Sequence, residues 1–424
     1  MAHSLQLLLL LALVVMAAKL AGAAATRIGQ PAVFGEILAG LLLGPTLADI
    51  LGWSVFAHAA GNGGAPSLLE SLRDLAQLGV VLLMFIAGME TDLAEMRRTG
   101  RVAFWAAAGG VALPMALGAG VAAWFGLPLI WQGIFVGTIL TATSVSISAQ
   151  TLIEIGAIRT REGSAILGAA VIDDVMGIIV LSVVVALARS AGAVDTGELG
   201  LIVGRMVLFF ALALAAGRLF PTLTRAGARL PVSQGLAAVV VSVAFVYAWA
   251  AEHLGGVAAI TGSYLAGLLF ARTKEKPAID EAIHPLTYSV FVPVFFVSIG
   301  LQADARDLGG APLFVALLLA AAVVGKVVGC GVLARLTGFD GLASLRLGVG
   351  MISRGEVGLI VAGYGLTHGL IARDVFSASV VIVLVTTMMT PPLLKLTFAR
   401  PRRRRQPAVV EETVGGPPGE IDRR

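Results

Sequence analysis

Two adjacent aspartates, Asp173 and Asp174, lie in the middle of an apolar stretch that reads SAILGAAVIDDVMGIIVLSVVVAL. A charged side chain at the centre of a membrane helix costs about 2.5–3.5 kcal/mol on insertion scales, and neighbouring carboxylates also resist joint ionisation. A membrane protein keeps such a pair only where a cation, a proton or a buried basic residue offsets the charge. We therefore expect cation and proton movement at this pair. The alternative is a pair of satisfied or capping carboxylates, which the apolar flanks disfavour.

A lysine in another apolar stretch is a candidate partner for the aspartates. Lys326 lies between Pro312 and Cys330, where a lysine needs a carboxylate partner or must lose its proton. Its long side chain could instead extend to the cytoplasmic surface. Gly325 and Gly329 lie beside it and would allow close approach of a second helix.

A glycine-rich stretch that begins at Gly348 contains two further charges. It reads GVGMISRGEVGLIVAGYG, with Arg354 and Glu356 on either side of Gly355. Glycines and charges at this density are typical of a discontinuous helix, whose free carbonyls and half-helix dipoles can bind ions. A local Arg354–Glu356 salt bridge that stabilises the break is an alternative compatible with this interpretation.

A second stretch is unusually rich in hydroxyl groups. From Gly137 it reads GTILTATSVSISAQTL and includes Thr141, Thr143 and Ser144. Hydroxyls can satisfy the backbone where a membrane helix breaks, although a single one more often joins neighbouring helices. Their density directly before the aspartate stretch predicts a second broken helix.

A charge count of these candidates suggests what the site holds. Asp173, Asp174 and Glu356 contribute three negative charges, whereas Lys326 and Arg354 contribute two positive ones. If all five are ionised and adjacent, the cluster lacks one positive charge. A monovalent cation or an extra proton would then bind in competition, which is the minimal requirement for cation/proton exchange.

The composition identifies the class of protein that positions these residues. The chain is 58% hydrophobic and 13% charged, and apolar runs long enough to span about 30 Å of hydrocarbon recur throughout it. An all-α polytopic membrane protein is therefore expected. The net charge of +4 does not indicate a nucleic-acid partner, because the basic residues are distributed over short loops and the tail. No hydrolase, redox or nucleotide motif occurs, so neither an enzyme nor a cofactor is expected. Because Cys330 is the single cysteine, an intrachain disulfide is excluded.

Hydropathy predicts about thirteen membrane spans. The distribution of Lys and Arg among the loops places the N-terminus outside and the C-terminus in the cytoplasm. The first span is expected to remain as an uncleaved helix, and residues 401–424 are expected to form a disordered cytoplasmic tail. The predicted spans lie near residues 4–24, 30–47, 72–90, 102–124, 131–155, 163–188, 199–220, 233–252, 254–271, 284–302, 310–336, 343–368 and 374–397.

The two predicted broken helices occupy corresponding positions, because each precedes the last span of a six-span unit. If the seventh span links the two units, the odd linker makes them inverted repeats. Paired interrupted helices in inverted repeats indicate a transport site near the middle of the membrane.

Six motifs of the chain resemble those of the cation:proton antiporter superfamily, specifically the bacterial sodium/proton antiporters of its second branch. The resemblance covers about residues 5–397, and the Asp-Asp pair together with Arg-Gly-Glu is its most specific part. One departure is Ser353, where a proline often precedes Arg-Gly-Glu. The motifs are FGEILAGLLLGP, LLMFIAGMETDL, TATSVSI, AVIDDVMGI, FFVSIGLQ and SRGEVGLI.

The resemblance implies a membrane transporter domain over residues 1–400 that works as a homodimer among membrane lipids. It implies a core domain with two crossed, unwound helices, a dimer domain and a linker helix. It assigns ion binding to Asp174 and a proton-coupled salt bridge with Lys326 to Asp173. The implied ranges are about 72–188 and 284–397 for the core, 1–50 and 233–271 for the dimer domain, and 199–220 for the linker.

The resulting hypothesis is an electrogenic Na⁺(Li⁺)/H⁺ antiporter of the bacterial inner membrane that contributes to pH homeostasis by alternating access. Na⁺ would bind to carboxylate and carbonyl oxygens and to hydroxyls of Thr141, Thr143 or Ser144, because hard cations prefer oxygen ligands. K⁺/H⁺ exchange on the same scaffold is the alternative, since one sequence does not determine cavity size. A passive cation channel is less favoured, because conduction needs weak, multi-site binding. A receptor that retains a transporter fold is also less favoured, because charged residues are present at every key position.

Overall fold

A computed structural model describes residues 3–45, 47–56, 67–128, 132–189, 196–301, 312–367 and 369–399. Within these ranges the regular secondary structure is entirely helical. The predicted disordered tail, residues 401–424, lies outside the described residues. The first helices are α1 (His3–Arg27), α2 (Ala32–Leu43), α3 (Leu68–Glu90), α4 (Leu93–Trp124), α5 (Ile134–Ile139), α6 (Val145–Glu154), α7 (Arg161–Arg189) and α8 (Thr196–Ala216). They are followed by α9 (Phe220–Ala228), α10 (Gly235–Ala250), α11 (Ala259–Phe270), α12 (Lys276–Leu286), α13 (Val292–Leu301), α14 (Pro312–Leu336), α15 (Gly341–Gly350), α16 (Glu356–Thr367) and α17 (Arg373–Phe398).

The helices confirm a polytopic membrane protein. In the described part of the chain, nine helical segments are long and apolar enough to cross a bilayer. The other four predicted spans correspond to shorter helices: α2, α11, and the pairs α5–α6 and α15–α16. The count of thirteen spans and the inverted repeat therefore stay predictions.

Local sequence accounts for where several helices begin. Ser67 and Glu70 form a capping box at the start of α3, with Glu70 N donating to Ser67 Oγ over 3.2 Å and Ser67 N donating to Glu70 Oε2 over 2.6 Å. At the start of α4, Asp92 Oδ1 accepts a hydrogen bond of 2.8 Å from Ala94 N. These side chains satisfy backbone N–H groups that have no partner within the helix.

Glycines bring α4 and α14 into backbone contact. A Cβ atom on Gly329 would lie 2.3 Å from the carbonyl oxygen of Gly109, and a Cβ on Gly109 would lie 2.1 Å from that of Gly329. Gly118 and Gly137 join α4 to α5 in a similar way. Since α7 and α15 also pack on these helices, we refer to α4, α5, α7, α14 and α15 as the aspartate group.

A second set of helices is joined by its own glycines. Gly88 and Gly267 bring α3 against α11, and Gly40 and Gly300 bring α2 against α13. A Cβ atom on any of these glycines would lie less than 2.5 Å from a carbonyl oxygen of the opposite helix. Since α1, α10 and the pair α3–α13 also pack together, we refer to α1, α2, α3, α10, α11 and α13 as the scaffold group. The predicted core and dimer ranges stay predictions.

Candidate functional site

The site is built around two interrupted helices. The helical path stops after α5 and resumes at α6, leaving residues 140–144 outside a helix, and it stops again after α15 and resumes at α16, leaving residues 351–355. Both interruptions fall on the stretches in which the sequence predicts broken helices. Backbone carbonyls and N–H groups freed at a break need other partners in a membrane.

The two breaks provide partners for each other. Ser144 N donates to Ser353 O over 2.8 Å, and Ser353 Oγ donates to Ser144 O over 2.7 Å. Ser148 Oγ donates to Gly350 O over 2.5 Å. The serine that departs from the resembled motif, Ser353, therefore supplies a hydroxyl that a proline would lack.

Arg354 is buried where these breaks meet. Its guanidinium donates to Ile352 O over 2.7 Å, to Leu140 O over 2.8 Å and to Ala322 O over 3.0 Å. Thr387 Oγ1 donates to the carbonyl oxygen of Arg354 itself. Leu140 and Ile352 follow the carboxyl ends of α5 and α15, where helix dipoles concentrate negative partial charge. The arginine thus compensates carbonyls at both breaks. Glu356 begins α16, but its side chain lies outside the part that the structure describes.

Asp173 and Lys326 form a buried ion pair between α7 and α14. Lys326 Nζ lies 3.0 Å from Asp173 Oδ1 and 3.2 Å from Oδ2. The two side chains are 0% and 2% exposed, so the lysine does not extend to the surface. The lysine charge is therefore offset inside the protein, and a proton or cation that disturbs Asp173 must also affect Lys326.

Asp174 lines a small cavity of about 50 Å³ beside the ion pair. Thr141 and Thr143 from the first break line this cavity, together with Thr138 and Asp173. Thr138 and Thr141 donate to the carbonyl oxygens of Ile134 and Thr138 in α5. Among the described residues, Thr143 Oγ1 has no hydrogen-bond partner. The cavity therefore combines a carboxylate with hydroxyl oxygens, which is the type of ligand that small alkali cations prefer.

Two residues occupy places that the sequence does not indicate. Ser144 is not among the residues that line the cavity, and its hydroxyl lies 3.2 Å from that of Ser146. Thr261, on α11 of the scaffold group, donates to Asp174 Oδ2 over 3.1 Å. Thr261 was not predicted because a hydroxyl in an apolar span usually satisfies its own backbone, and no other feature distinguishes it.

Glu36 lies outside this site. It forms an ion pair with Lys19, with a distance of 3.4 Å between Lys19 Nζ and Glu36 Oε1. Beside it, Glu154 at the end of α6 accepts hydrogen bonds from Ala32 N over 2.6 Å and Val33 N over 3.2 Å, at the start of α2. Both carboxylates thus have structural partners at one end of the bundle.

The chain is similar to known proteins over most of its length. Residues 10–399 match the family model described as sodium/hydrogen exchanger, transmembrane. The chain is 40% identical over 375 residues to the Na(+)/H(+)-K(+) antiporter GerN of Bacillus cereus, covering 88% of this chain and 91% of GerN. It is 31% identical over 373 residues to an Na(+)/H(+) antiporter of Enterococcus hirae, covering 88% of this chain and 93% of that protein.

A solved structure shares the fold. The sodium proton antiporter MjNhaP1 from Methanocaldococcus jannaschii superposes with a TM-score of 0.64 at 14% sequence identity, covering 93% of this chain and 96% of that protein. At this identity, the likeness extends to the arrangement of helices and carries no information about the ion.

Proposed function

Because this chain belongs to the sodium/hydrogen exchanger family, we propose that it exchanges Na⁺ or Li⁺ for protons across the bacterial inner membrane. The observation that carries this proposal is the small cavity that Asp174 lines together with Thr141 and Thr143 of an interrupted helix. A carboxylate in such a place binds a proton or a cation, but not both, and this competition is what couples the two fluxes.

Na⁺ would be held by oxygen atoms of three kinds. Asp174 supplies a carboxylate, Thr141 and Thr143 line the same cavity, and the first break leaves carbonyls that are not used by a regular helix. Thr143 is the strongest hydroxyl candidate, because its oxygen is buried and has no partner among the described residues. Ser144, which pairs with the second break, would hold the shape of the site.

The ion pair makes the proposed exchange electrogenic. When Na⁺ binds to Asp174, it also attracts the Asp173 carboxylate, and the ion pair between Asp173 and Lys326 opens. The lysine is then desolvated without a partner and loses its proton. The site then carries two carboxylates and one Na⁺, for a net charge of minus one. After Na⁺ leaves, Asp174 and Lys326 each take up a proton, and the site is neutral. Two protons therefore move against one Na⁺, and one charge crosses the membrane in each cycle.

Alternating access would come from movement of the aspartate group against the scaffold group. This division places α3 and α13 in the scaffold group, whereas the ranges implied by the resemblance place them in the core. A cavity of about 690 Å³, lined in part by Gln30, Glu154 and Phe398, lies near the end at which α7 begins. The cavity at Asp174 extends the other way along α7, to Leu181. If the N-terminus lies outside, as the Lys and Arg distribution predicts, the larger cavity faces the cytoplasm. Thirteen spans, inverted repeats and a homodimer belong to the same proposal.

Substitution of Asp174 tests the proposal directly. In proteoliposomes that contain a pH-sensitive dye, Asp174→Asn should abolish Na⁺-dependent proton movement, because a neutral amide cannot exchange a proton for a cation. Asp92→Asn is the matched control, since asparagine also caps helices well and Asp92 lies at the start of α4, away from the site. Normal exchange by a folded Asp174→Asn protein would contradict the proposal.

K⁺/H⁺ exchange is the second candidate function. It is favoured by the similarity to GerN, whose name includes K⁺, and both functions would use the same site. Equal concentrations of Na⁺, Li⁺ and K⁺ should be compared in the same liposomes. We expect Na⁺ and Li⁺ to move protons at lower concentration than K⁺, because a smaller cation approaches the Asp174 carboxylate more closely and is attracted to it more strongly. A preference for K⁺ would favour the second function, and ion flux without proton movement would indicate a channel.

A further inference from the structure

The contact between Thr261 and Asp174 joins the two helix groups at the site itself. Thr261 Oγ1 lies 3.1 Å from Asp174 Oδ2. Thr261 is 2% exposed and Asp174 is 9% exposed, so water competes little for this hydrogen bond. Asp174 is on α7 of the aspartate group, whereas Thr261 is on α11 of the scaffold group. A movement of one group against the other that is large enough to carry the site across the membrane would therefore break this contact.

The position of Thr261 on α11 strengthens its effect on the carboxylate. The helix begins at Ala259, so Thr261 is in its first turn, where the positive end of the helix dipole favours a nearby negative charge. Ala258, which precedes the helix, lines the cavity beside Asp174. The scaffold thus presents both a hydroxyl donor and a helix N-terminus to the ionised form of Asp174.

We propose that Thr261 is a positioning residue for the exchange, which holds the ionised Asp174 carboxylate against the scaffold while neither Na⁺ nor a proton is bound. The inference rests on the function proposed above. A proton or a cation on Asp174 removes the negative charge that the hydroxyl donates to, and the contact weakens. The loaded aspartate group is then released to move, whereas the empty one is retained.

This role predicts the direction in which the affinity of Asp174 for Na⁺ and for protons should change when the hydroxyl is removed. A hydrogen bond to the unloaded carboxylate stabilises the empty site relative to both loaded forms. Its removal should therefore raise the affinity of Asp174 for Na⁺ and for protons alike. If Thr261 instead bound Na⁺ as a ligand, its removal would lower the affinity for Na⁺. The two roles predict opposite changes in KM.

The variant Thr261→Val removes the hydroxyl and keeps the shape of the side chain. At alkaline pH we expect KM for Na⁺ to fall by about tenfold, the effect of losing one hydrogen bond to a charged group. The pH at which exchange is half-maximal should rise, because protons also bind more tightly. Protons should in addition cross the membrane without Na⁺, since the empty group moves more freely.

Two further variants isolate the hydroxyl from general effects on the fold. Thr261→Ser keeps a donor at the same position and should retain wild-type KM, pH profile and coupling. Ser263→Ala removes a hydroxyl from the same helix that donates to Val81 O over 2.7 Å, within the scaffold group, and should also behave as wild type.

All four proteins should be reconstituted in proteoliposomes and assayed for KM for Na⁺, for the pH profile and for proton leak in sodium-free buffer. The inference is supported if Thr261→Val alone shows a lower KM together with a proton leak. A higher KM, or values equal to those of Ser263→Ala, would overturn it. If the wild-type protein moves no protons in response to Na⁺, Li⁺ or K⁺, it is the proposed function that fails.

Discussion

At the residue scale, Asp173 and Lys326 act as one unit. Removing one partner of a buried ion pair costs about 3–5 kcal/mol, because the other charge is left uncompensated. A single substitution would therefore mix a loss of stability with a loss of transport. Replacing both partners by neutral, similarly shaped side chains avoids this problem and leaves Asp174 in place.

The double variant Asp173→Asn/Lys326→Gln should still exchange Na⁺ for protons, but only one proton per ion. Without the ionisable lysine, no net charge crosses the membrane, so the rate should not depend on voltage. Flux should be measured at several potassium diffusion potentials set with valinomycin, with the wild-type protein as the voltage-sensitive control. A double variant whose rate follows voltage as steeply as wild type would remove the ion pair from the mechanism.

The charged residues of the site could be predicted from the sequence because charge inside an apolar stretch is rare and costly. Asp173, Asp174, Lys326 and Arg354 all stand out on this ground. Thr261 does not, since threonine is common in membrane helices and its partner lies 87 positions away in the chain. Only the packing of α11 beside α7 reveals this contact.

At the element scale, glycine contacts determine how closely the helices approach. Gly329 should not tolerate a larger residue, because its Cβ would lie 2.3 Å from the backbone oxygen of Gly109. Gly329→Val should therefore separate α4 from α14, which carries Lys326, and lower the thermal stability of the detergent-solubilised protein by several degrees. Gly120→Val on α4, where a Cβ would meet no atom within 4 Å, is the control. Equal melting temperatures for the two variants would contradict the packing argument.

The two helix breaks could be predicted, but the lengths of α2 and α11 could not. A hydropathy profile detects how long an apolar stretch is, but it does not detect a glycine at which the helix within that stretch begins or ends. The predicted span at 254–271 begins before Gly256, whose φ of 67° lies in the left-handed region, and α11 starts only at Ala259. A helix of this length does not cross the bilayer alone, and it instead places Thr261 close to Asp174.

At the scale of the whole molecule, the fold and the site carry separate information. The helix arrangement is shared with MjNhaP1 at 14% identity, so the fold alone does not specify the ion or the number of protons. In the mechanism that we propose, those properties would depend on Asp174, the Asp173–Lys326 pair and the contact with Thr261. Grouping the helices by their glycine contacts supplies the two bodies whose relative movement would carry the site across the membrane.

The voltage at which exchange reverses tests the central claim most directly. In proteoliposomes with equal pH on both sides and tenfold more Na⁺ inside, exchange of two protons for one Na⁺ should stop at about 59 mV, inside positive. Beyond that voltage the flux should change direction. Electroneutral exchange would continue in one direction at every voltage, and that result would contradict the proposed coupling of Asp174 to the Asp173–Lys326 pair.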